Sequence, residues 1–236
     1  MDSKDFVAYD ASASVTTAVR TRRSLRAFTD QSVETAVIKH ILETAARAPS
    51  GTNMQPWQTY VLTGERKERL SKVVCDAFDT DARSHTGEVR YYPEEWFDPY
   101  LSRRRKIGWD LYTLLDIGRG DKEKMHKQHR RNFLFFDAPV GMMFTINRNL
   151  ATGSWLDYGM FLQNVMLLAR EAGLHTCPQA AWSDFHAVVR PELELHDDEV
   201  VVCGMALGYA DSEAIENTLV SERESIDSSV TFLDSV

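Results

Sequence analysis

The chain has 236 residues, of which 43% are hydrophobic and 26% are charged, and its formal net charge is −8. This length and composition are typical of one globular domain with a sizeable core, and they exclude a chain that is disordered throughout. The negative charge argues against nucleic acid and against an anionic membrane as partners, because both recruit positive surfaces.

The first residues lack the basic and then apolar stretch of a signal peptide, and no apolar run reaches the roughly 20 residues that cross a bilayer. We therefore expect a cytoplasmic protein. The three cysteines, Cys75, Cys177 and Cys203, are widely spaced and odd in number, which predicts reduced core thiols. A nucleophilic pair of Cys177 with His175 would require a spatial geometry that closeness along the chain does not establish.

Helical spacing of apolar residues predicts a helix over about 12–21 and a second one that begins after the N-cap Ser32 and ends at Arg47, before Pro49. The aromatic and β-branched stretch 57–63 predicts a strand, and 65–78 predicts a helix. From 79 to about 131 the pattern degrades into a polar insertion dotted with aromatic residues, in which 110–117 is the best helix candidate.

The continuous apolar run 140–146 predicts a strand that is buried on both faces. Ser154 and Asp157 resemble a capping box at the start of a long helix that ends at 172, and a short helix over 183–189 precedes a buried strand over 200–208. The polar tail predicts an arm that crosses the surface or reaches another subunit. We therefore expect a single domain over 1–236, with an insertion at about 79–131 and a C-terminal arm at about 211–236.

Two polar segments are candidates for ligand binding. The first contains Arg20, Arg22, Arg23 and Arg26 around Ser24. Guanidinium groups bind phosphate oxygens in bidentate fashion, although a basic helix end that interacts with the helix dipole would look the same. The second segment is the loop Pro49-Ser50-Gly51-Thr52-Asn53-Met54-Gln55-Pro56-Trp57. Its donors and acceptors suit a polyhydroxylated chain or the edge of a heterocycle, and the alternative is an ordinary helix-to-strand turn.

Together and in this order, these segments resemble the nitroreductase family, which shows Arg-x-Ser-x-Arg-x-Phe followed by Pro-Ser-x-x-Asn-x-Gln-Pro-Trp. Here the first pattern reads Arg22-Arg23-Ser24-Leu25-Arg26-Ala27-Phe28. The resemblance resumes at 173–181, at 206–209 and at Arg223. It implies an α+β fold with a mixed, largely antiparallel sheet flanked by helices, in an intertwined homodimer that binds FMN at the subunit interface.

By this resemblance, Arg22, Ser24 and Arg26 hold the FMN phosphate and ribityl chain, and Arg223 returns to the phosphate. The other subunit supplies the loop residues Pro49, Ser50, Asn53 and Gln55. The isoalloxazine ring lies along Pro178, Gln179, Ala180 and Ala181, with a backbone amide near Ala180 toward flavin N5. Asn132 lies near the pyrimidine edge of the flavin, and Gly208 is the last of the implied FMN-binding residues. Many members carry a Glu where Gln179 and Ala180 stand and a Lys near Ser221, and Arg23 is the candidate that compensates for the missing Lys.

The reaction implied by the resemblance is reduction of FMN by NADH or NADPH, followed by two-electron reduction of a nitroaromatic compound to the nitroso and hydroxylamine products. Flavin chemistry requires no protein nucleophile. The alternatives are reduction of flavins or quinones, reductive dehalogenation, or a non-catalytic flavin-binding protein. Four aromatic residues of the insertion are candidates for a substrate slot, or else for packing the dimer: Tyr91, Tyr92, Trp96 and Trp109.

Two further clusters have a structural explanation. His126 and His129 lie among basic residues that disfavour a cation, so no metal site is expected. The run from Arg103 to Lys106 predicts a solvated or ion-pairing helix face. The alternative for that run is attraction of an anionic substrate or of the NADPH phosphate.

Overall fold

The computed structural model describes residues 8–233, so the two ends of the predicted domain, including the last three residues of the predicted arm, lie outside the described residues. Within this range the chain forms seven α-helices: α1 (Val15–Thr21), α2 (Thr35–Ala45), α3 (Gly64–Asp81), α4 (Tyr100–Leu114), α5 (Lys122–Arg130), α6 (Thr152–Glu171) and α7 (His186–Leu193). Its four strands are β1 (Gln58–Leu62), β2 (Val140–Asn147), β3 (His175–Gln179) and β4 (Glu199–Gly208). None of the helices in 8–233 is long and apolar enough to cross a membrane.

The four strands form one sheet in the order β1-β2-β4-β3, and every neighbouring pair is antiparallel. The parallel component that makes the sheet mixed is an isolated bridge between Ser24 and Thr176. Helices cover both faces of this sheet. The predicted α+β fold, with a largely antiparallel sheet flanked by helices, is confirmed.

Strand β2 explains why the core has two layers. Successive side chains of a strand point to opposite faces. Met142 and Phe144 pack with α2 and α6 on one face, whereas Met143 packs on the other face with α3 and the turn over 131–137. The predicted strand that is buried on both faces is therefore confirmed, with one more residue than expected.

Several predicted helix starts are wrong. Helix α2 begins at Thr35 after Glu34, so Ser32 is not its N-cap. Helix α6 begins at Thr152, which places Ser154 and Asp157 inside the helix rather than in a capping box. The Asp157 carboxylate instead accepts a hydrogen bond from the Gly51 amide at 3.0 Å, so it anchors a loop instead of a helix end.

The insertion contains helices α4 and α5, but the predicted helix over 110–117 is wrong in its bounds, because α4 starts at Tyr100 and ends at Leu114. No side chain of α4 is buried, so the helix has no apolar stripe that a sequence pattern reveals. Strand β3 was not predicted as a strand. The helix predicted over 183–189 is a 3₁₀ turn over Ala180–Phe185 followed by α7.

Candidate functional site

The arginine-rich segment leaves α1 at Arg22 in an extended conformation and lies beside β3, to which the Leu25 amide donates a hydrogen bond of 3.2 Å. Side chains of an extended segment alternate between its two sides. Arg23 and Leu25 are buried, at 7% and 1% exposure, while Arg22, Ser24 and Arg26 are half-buried on the opposite side. The spacing Arg-x-Ser-x-Arg therefore presents two guanidinium groups and a hydroxyl on one face.

The C-terminal arm adds a third cation to this face. Burial, and then the positive charge of Arg223, lower the pKa of Arg22, which shows that the two guanidinium groups lie close enough to repel each other. The hydrogen bonds that the guanidinium groups of Arg26 and Arg223 donate within residues 8–233 go to backbone and hydroxyl oxygens, such as the Ser24 carbonyl at 3.2 Å. We call Arg22, Ser24, Arg26 and Arg223 the cation face. Without a carboxylate among the described residues to neutralise it, this face suits an anion.

The structure separates Arg23 from the cation face. Its Nη1 donates to the Asn217 carbonyl, and its guanidinium carbon lies 5.7 Å from the centroid of the Tyr9 ring. Two of its nitrogens, Nε and Nη2, are buried and have no partner within residues 8–233. Arg23 therefore faces the interior of the protomer, and the structure does not bring it together with Arg22 and Arg26.

Asn217 is a residue that the sequence pattern did not identify. It is fully buried in the arm, its Oδ1 accepts from the Arg26 amide at 2.8 Å, and its Nδ2 donates to the Ala27 carbonyl at 2.8 Å and to the Asp211 carbonyl at 2.9 Å. It thus fixes the backbone of the arginine segment from the far end of the chain. It is the one asparagine in residues 211–236, but no local pattern in the sequence indicates that it contacts the arginine segment.

A cavity of 880 Å³ opens where β3 ends, and this volume lies within the range of about 300–1,000 Å³ that is usual for small-molecule sites. Its lining includes seven predicted site residues: Asn132, Pro178, Gln179, Ala180, Ala181, Tyr91 and Tyr92. Gln179 is 3% exposed and its Nε2 donates to the Asn132 carbonyl at 2.5 Å. This bond holds the end of β3 against the segment that follows α5.

The aromatic candidates of the insertion divide into two groups. Tyr91 and Tyr92 line the 880 Å³ cavity, and Trp96 packs on Tyr92 with 5.2 Å between the ring centroids. Trp109 lies on α4 in a separate cavity of 510 Å³, under the guanidinium of Arg119 at 5.0 Å. The structure therefore brings Tyr91, Tyr92 and Trp96 together and leaves Trp109 apart.

The second predicted segment forms a tight loop. The Gln55 amide donates to Ser50 Oγ at 3.0 Å, and Thr52, Asn53 and Gln55 have left-handed φ values of 50°, 61° and 48°. Asn53 and Gln55 are exposed, so their side chains are available to a ligand or to another chain. Pro49 is exposed and Ser50 half-buried at the start of this loop.

This loop and the cation face lie at opposite corners of the sheet. The loop enters β1 at one edge of the sheet, and the arginine segment adjoins β3 at the other edge. Three strand spacings of about 4.8 Å separate β1 from β3, which is about 14 Å. The strand registers place Gln58 level with Val201 of β4, and Thr176 level with Leu207 of β4. The six residues from Val201 to Leu207 add a separation of about 20 Å along the strands, at about 3.4 Å per residue. The two predicted halves of the site do not meet within one chain.

A sequence model of the nitroreductase family matches residues 19–209. The chain belongs to this family. It is 40% identical over 215 residues to the nitrobenzene nitroreductase of Ectopseudomonas oleovorans, covering 91% of this chain and 95% of that protein. It is 41% identical over 218 residues to the 4-nitrobenzoate reductase of Nocardioides sp. (strain LMS-CY), covering 91% and 88%. The crystal structure of the FMN and NADPH-dependent nitroreductase NfnB from Sphigopyxis sp. strain HMH superimposes with a TM-score of 0.91, at 40% identity over 94% of this chain and 100% of that one.

Two positions of this nitroreductase-family chain have a local explanation in the structure. At Gly208, an added Cβ would lie 2.7 Å from Pro139 Cδ and 3.3 Å from Phe28 Cδ1, so close packing requires glycine there. Ser221, which stands near a position where many members carry a Lys, accepts a hydrogen bond from Arg223 Nη1 at 2.8 Å. Its hydroxyl orients a cation of the cation face instead of adding one.

The cysteines and histidines do not form nucleophilic or metal sites in the described part of the chain. All three cysteines are free and buried, which confirms the predicted core thiols, and burial raises the pKa of Cys177 to about 11. Burial and then Arg170 lower the pKa of His175 to about 3, so neither group is charged near neutrality. His126 contacts the Asp79 carboxylate at 2.7 Å, and no group of three potential metal ligands exists within residues 8–233.

Proposed function

We propose that this nitroreductase-family chain binds FMN and reduces nitroaromatic compounds with NADH or NADPH as the reductant. One observation carries the proposal: the cation face and the 880 Å³ cavity adjoin the same short strand, β3. The first suits the phosphate of a flavin nucleotide, and the second has room for a ring. The names of the relatives in Ectopseudomonas and Nocardioides support the substrate class.

The chemistry of the donors fits FMN. A phosphate monoester is a dianion near neutrality, and guanidinium groups with a hydroxyl are the donors that satisfy its oxygens. Arg22, Ser24, Arg26 and Arg223 would hold this phosphate, and its charge would relieve the repulsion between Arg22 and Arg223. The observation of this structure that favours an anionic ligand is that the arginines of the cation face have no carboxylate partner within residues 8–233.

The cavity residues would bind and orient the ring. When bound, FMN supplies the hydride transfer that connects the reduced nicotinamide with the nitro group. Pro178, Gln179, Ala180 and Ala181 would line one side of it, with a backbone N–H near Ala180 as the donor toward N5, and the Gln179 bond would hold Asn132 in place. Tyr91 and Tyr92 would shield the cavity from water and contact an aromatic substrate.

We also propose that the active form is a homodimer in which each site combines two chains. The loop with Ser50, Asn53 and Gln55 lies too far from the cation face of its own chain to contact the same ligand. Apolar side chains are exposed near the loop and on two helices: Met54 at 50%, Val15 at 75% and Leu156 at 72%. A second copy that covers these side chains would bring its own loop to the site and use the apolar surface that one chain leaves open.

The purified protein tests the function directly. We expect a flavin absorbance spectrum, bleaching on anaerobic addition of NADH or NADPH, and recovery of the oxidised spectrum when nitrobenzene or 4-nitrobenzoate is added, with the hydroxylamine as product. Arg22→Gln should weaken FMN binding, whereas Arg20→Gln, at an exposed position of α1, should leave it unchanged. A protein that cannot be reconstituted with FMN would contradict the proposal, and so would bound FMN that NAD(P)H does not reduce.

A further inference from the structure

Helix α4 carries four consecutive cations, Arg103 to Lys106, and the structure places them in three different environments. Arg103 pairs with Glu224 at 3.0 Å, and Lys106 pairs with Asp110 at 2.8 Å and with Glu222 at 3.2 Å. Arg105 lines the separate 510 Å³ cavity beside Trp109. Arg104 alone among the four lines the 880 Å³ cavity. Side chains on a helix point about 100° apart from one residue to the next, which is why adjacent cations face different structures.

The guanidinium of Arg104 is held by aromatic rings and not by a carboxylate. Its central carbon lies 4.5 Å from the Trp96 ring centroid and 5.8 Å from that of Tyr92. Within residues 8–233 it forms no ion pair, whereas the other arginine of the cavity lining, Arg90, is paired with Glu94 at 2.6 Å. A guanidinium whose face is covered by a ring keeps its in-plane N–H groups available, and a carboxylate matches that arrangement.

The cavity contains one opposing charge. Asp184 is the acidic residue among the lining residues, and its Oδ1 accepts a hydrogen bond from the Gly87 amide at 3.1 Å. Through that contact Asp184 holds the irregular segment before Tyr91, and Asp184 forms no ion pair with Arg104 in the described chain. No residue within 8–233 accepts a hydrogen bond from the Arg104 guanidinium, so its donors remain available in a cavity whose lining also includes Pro178 to Ala181.

We infer that Arg104 forms a subsite for an anionic ring substituent, so that aromatic carboxylates are preferred over neutral aromatic compounds of the same shape. This inference rests on the proposed function, because it assumes that the aromatic substrate enters the 880 Å³ cavity. Trp96 and Tyr92 position the guanidinium, and Arg104 acts on specificity, not on the chemistry at the other end of the ring. Its effect belongs mainly in KM and in the affinity for unreactive ligands.

The test compares benzoate with benzamide, which have similar shapes and differ in charge, by calorimetric titration of the FMN-loaded protein. We expect the wild type to bind benzoate about tenfold more tightly, because one charge-assisted contact is partly screened by solvent. Arg104→Gln should abolish this preference, and Arg105→Gln, which changes the adjacent cation outside the cavity, should keep it. The preference should also decrease with added salt in the wild type, whereas benzamide binding should not change.

The same variants are then assayed with 4-nitrobenzoate and 4-nitrobenzamide. We expect the kcat/KM for 4-nitrobenzoate, divided by that for 4-nitrobenzamide, to fall about tenfold in Arg104→Gln, because the KM for 4-nitrobenzoate rises. Unchanged ligand preference in Arg104→Gln would overturn the inference, and so would a selective rise of KM for NADPH relative to NADH, which would assign Arg104 to the nucleotide phosphate. Failure to reduce either nitro compound would count against the proposed function, whereas the calorimetric preference would still report on the subsite.

Discussion

Adjacent arginines on the extended segment should respond to mutation in opposite ways. Arg22 lies on the cation face close to Arg223, and Arg23 points into the protomer toward Asn217 and Tyr9. We predict that Arg22→Gln weakens FMN binding and leaves the FMN-free protein as stable as the wild type or slightly more stable. We predict that Arg23→Gln alters stability and leaves FMN affinity nearly unchanged.

The magnitudes follow from the contacts. A hydrogen bond to a charged group contributes about 1.5 to 3 kcal/mol, so loss of the Arg22 contact should raise the Kd for FMN by about tenfold to a hundredfold. Removal of the Arg22 charge also relieves its repulsion with Arg223. Because both groups are partly exposed, that relief should add no more than about 1 kcal/mol to the stability of the FMN-free protein.

The assay pairs two measurements on each variant. FMN affinity is measured by fluorescence titration of the FMN-free protein, and stability is measured by urea unfolding of the same preparation. Equal losses of FMN affinity in the Arg22 and Arg23 variants would refute the assignment of the two side chains to opposite sides. A large destabilisation of the FMN-free protein by Arg22→Gln would also refute it, because a repelled cation cannot be a major source of stability.

Three further predictions concern the arm and the buried histidine. Asn217→Ala should lower the free energy of unfolding by about 2 to 4 kcal/mol, since it leaves buried backbone groups without partners, and should weaken FMN binding in parallel; urea unfolding with FMN titration measures both. The double variant Glu222→Gln and Glu224→Gln removes the ion pairs that join the arm to Lys106 and Arg103 of α4, so Arg223, which lies between the two glutamates, is no longer held in place. It should weaken FMN binding by about threefold to tenfold, and the difference from wild type should disappear at high salt. The pKa of His175 is about 3 in the folded chain against an ordinary value of 6.5, so the unfolded chain takes up a proton first as the pH falls through that window. Stability should be complete above about pH 6.5 and decrease toward pH 3, and His175→Gln should reduce this loss in unfolding experiments at several pH values.

The sequence predicted the elements that bury apolar faces and missed those that do not. The run in β2 is apolar at successive positions, so its double burial was visible. Strand β3 is equally buried but contains His175, Thr176 and Gln179, whose burial depends on tertiary contacts such as the bond from Gln179 to Asn132. Helix α4 is the converse case, because it buries no side chain and its residues reveal no period.

For the candidate site, the motifs indicated the right segments but not the direction of each side chain. Arg22 and Arg23 are chemically identical, and the pairing of the segment with β3 places them on opposite sides. The alternation of Arg22, Ser24 and Arg26 with the apolar Leu25 and Ala27 was a signal of extended structure that could have made this distinction. The role of Asn217 depends on a contact between distant parts of the chain, which no local pattern contains.

In a chain with a net charge of −8, a group of arginines without carboxylate partners favours an anionic ligand. Most cations of helices α3 to α5 that form ion pairs have a carboxylate within about 3 Å, as in the pairs of Arg103, Lys106 and Arg130. The arginines of the cation face have no such carboxylate within residues 8–233, and burial and the positive charge of Arg223 lower the pKa of Arg22. A dianion that binds there would supply the missing negative charge, and in the proposed homodimer the loop at 49–57 of a second copy would add contacts to the same ligand. Under the proposed dimer, each event therefore favours the other, because a ligand that contacts both chains contributes its binding free energy to their association.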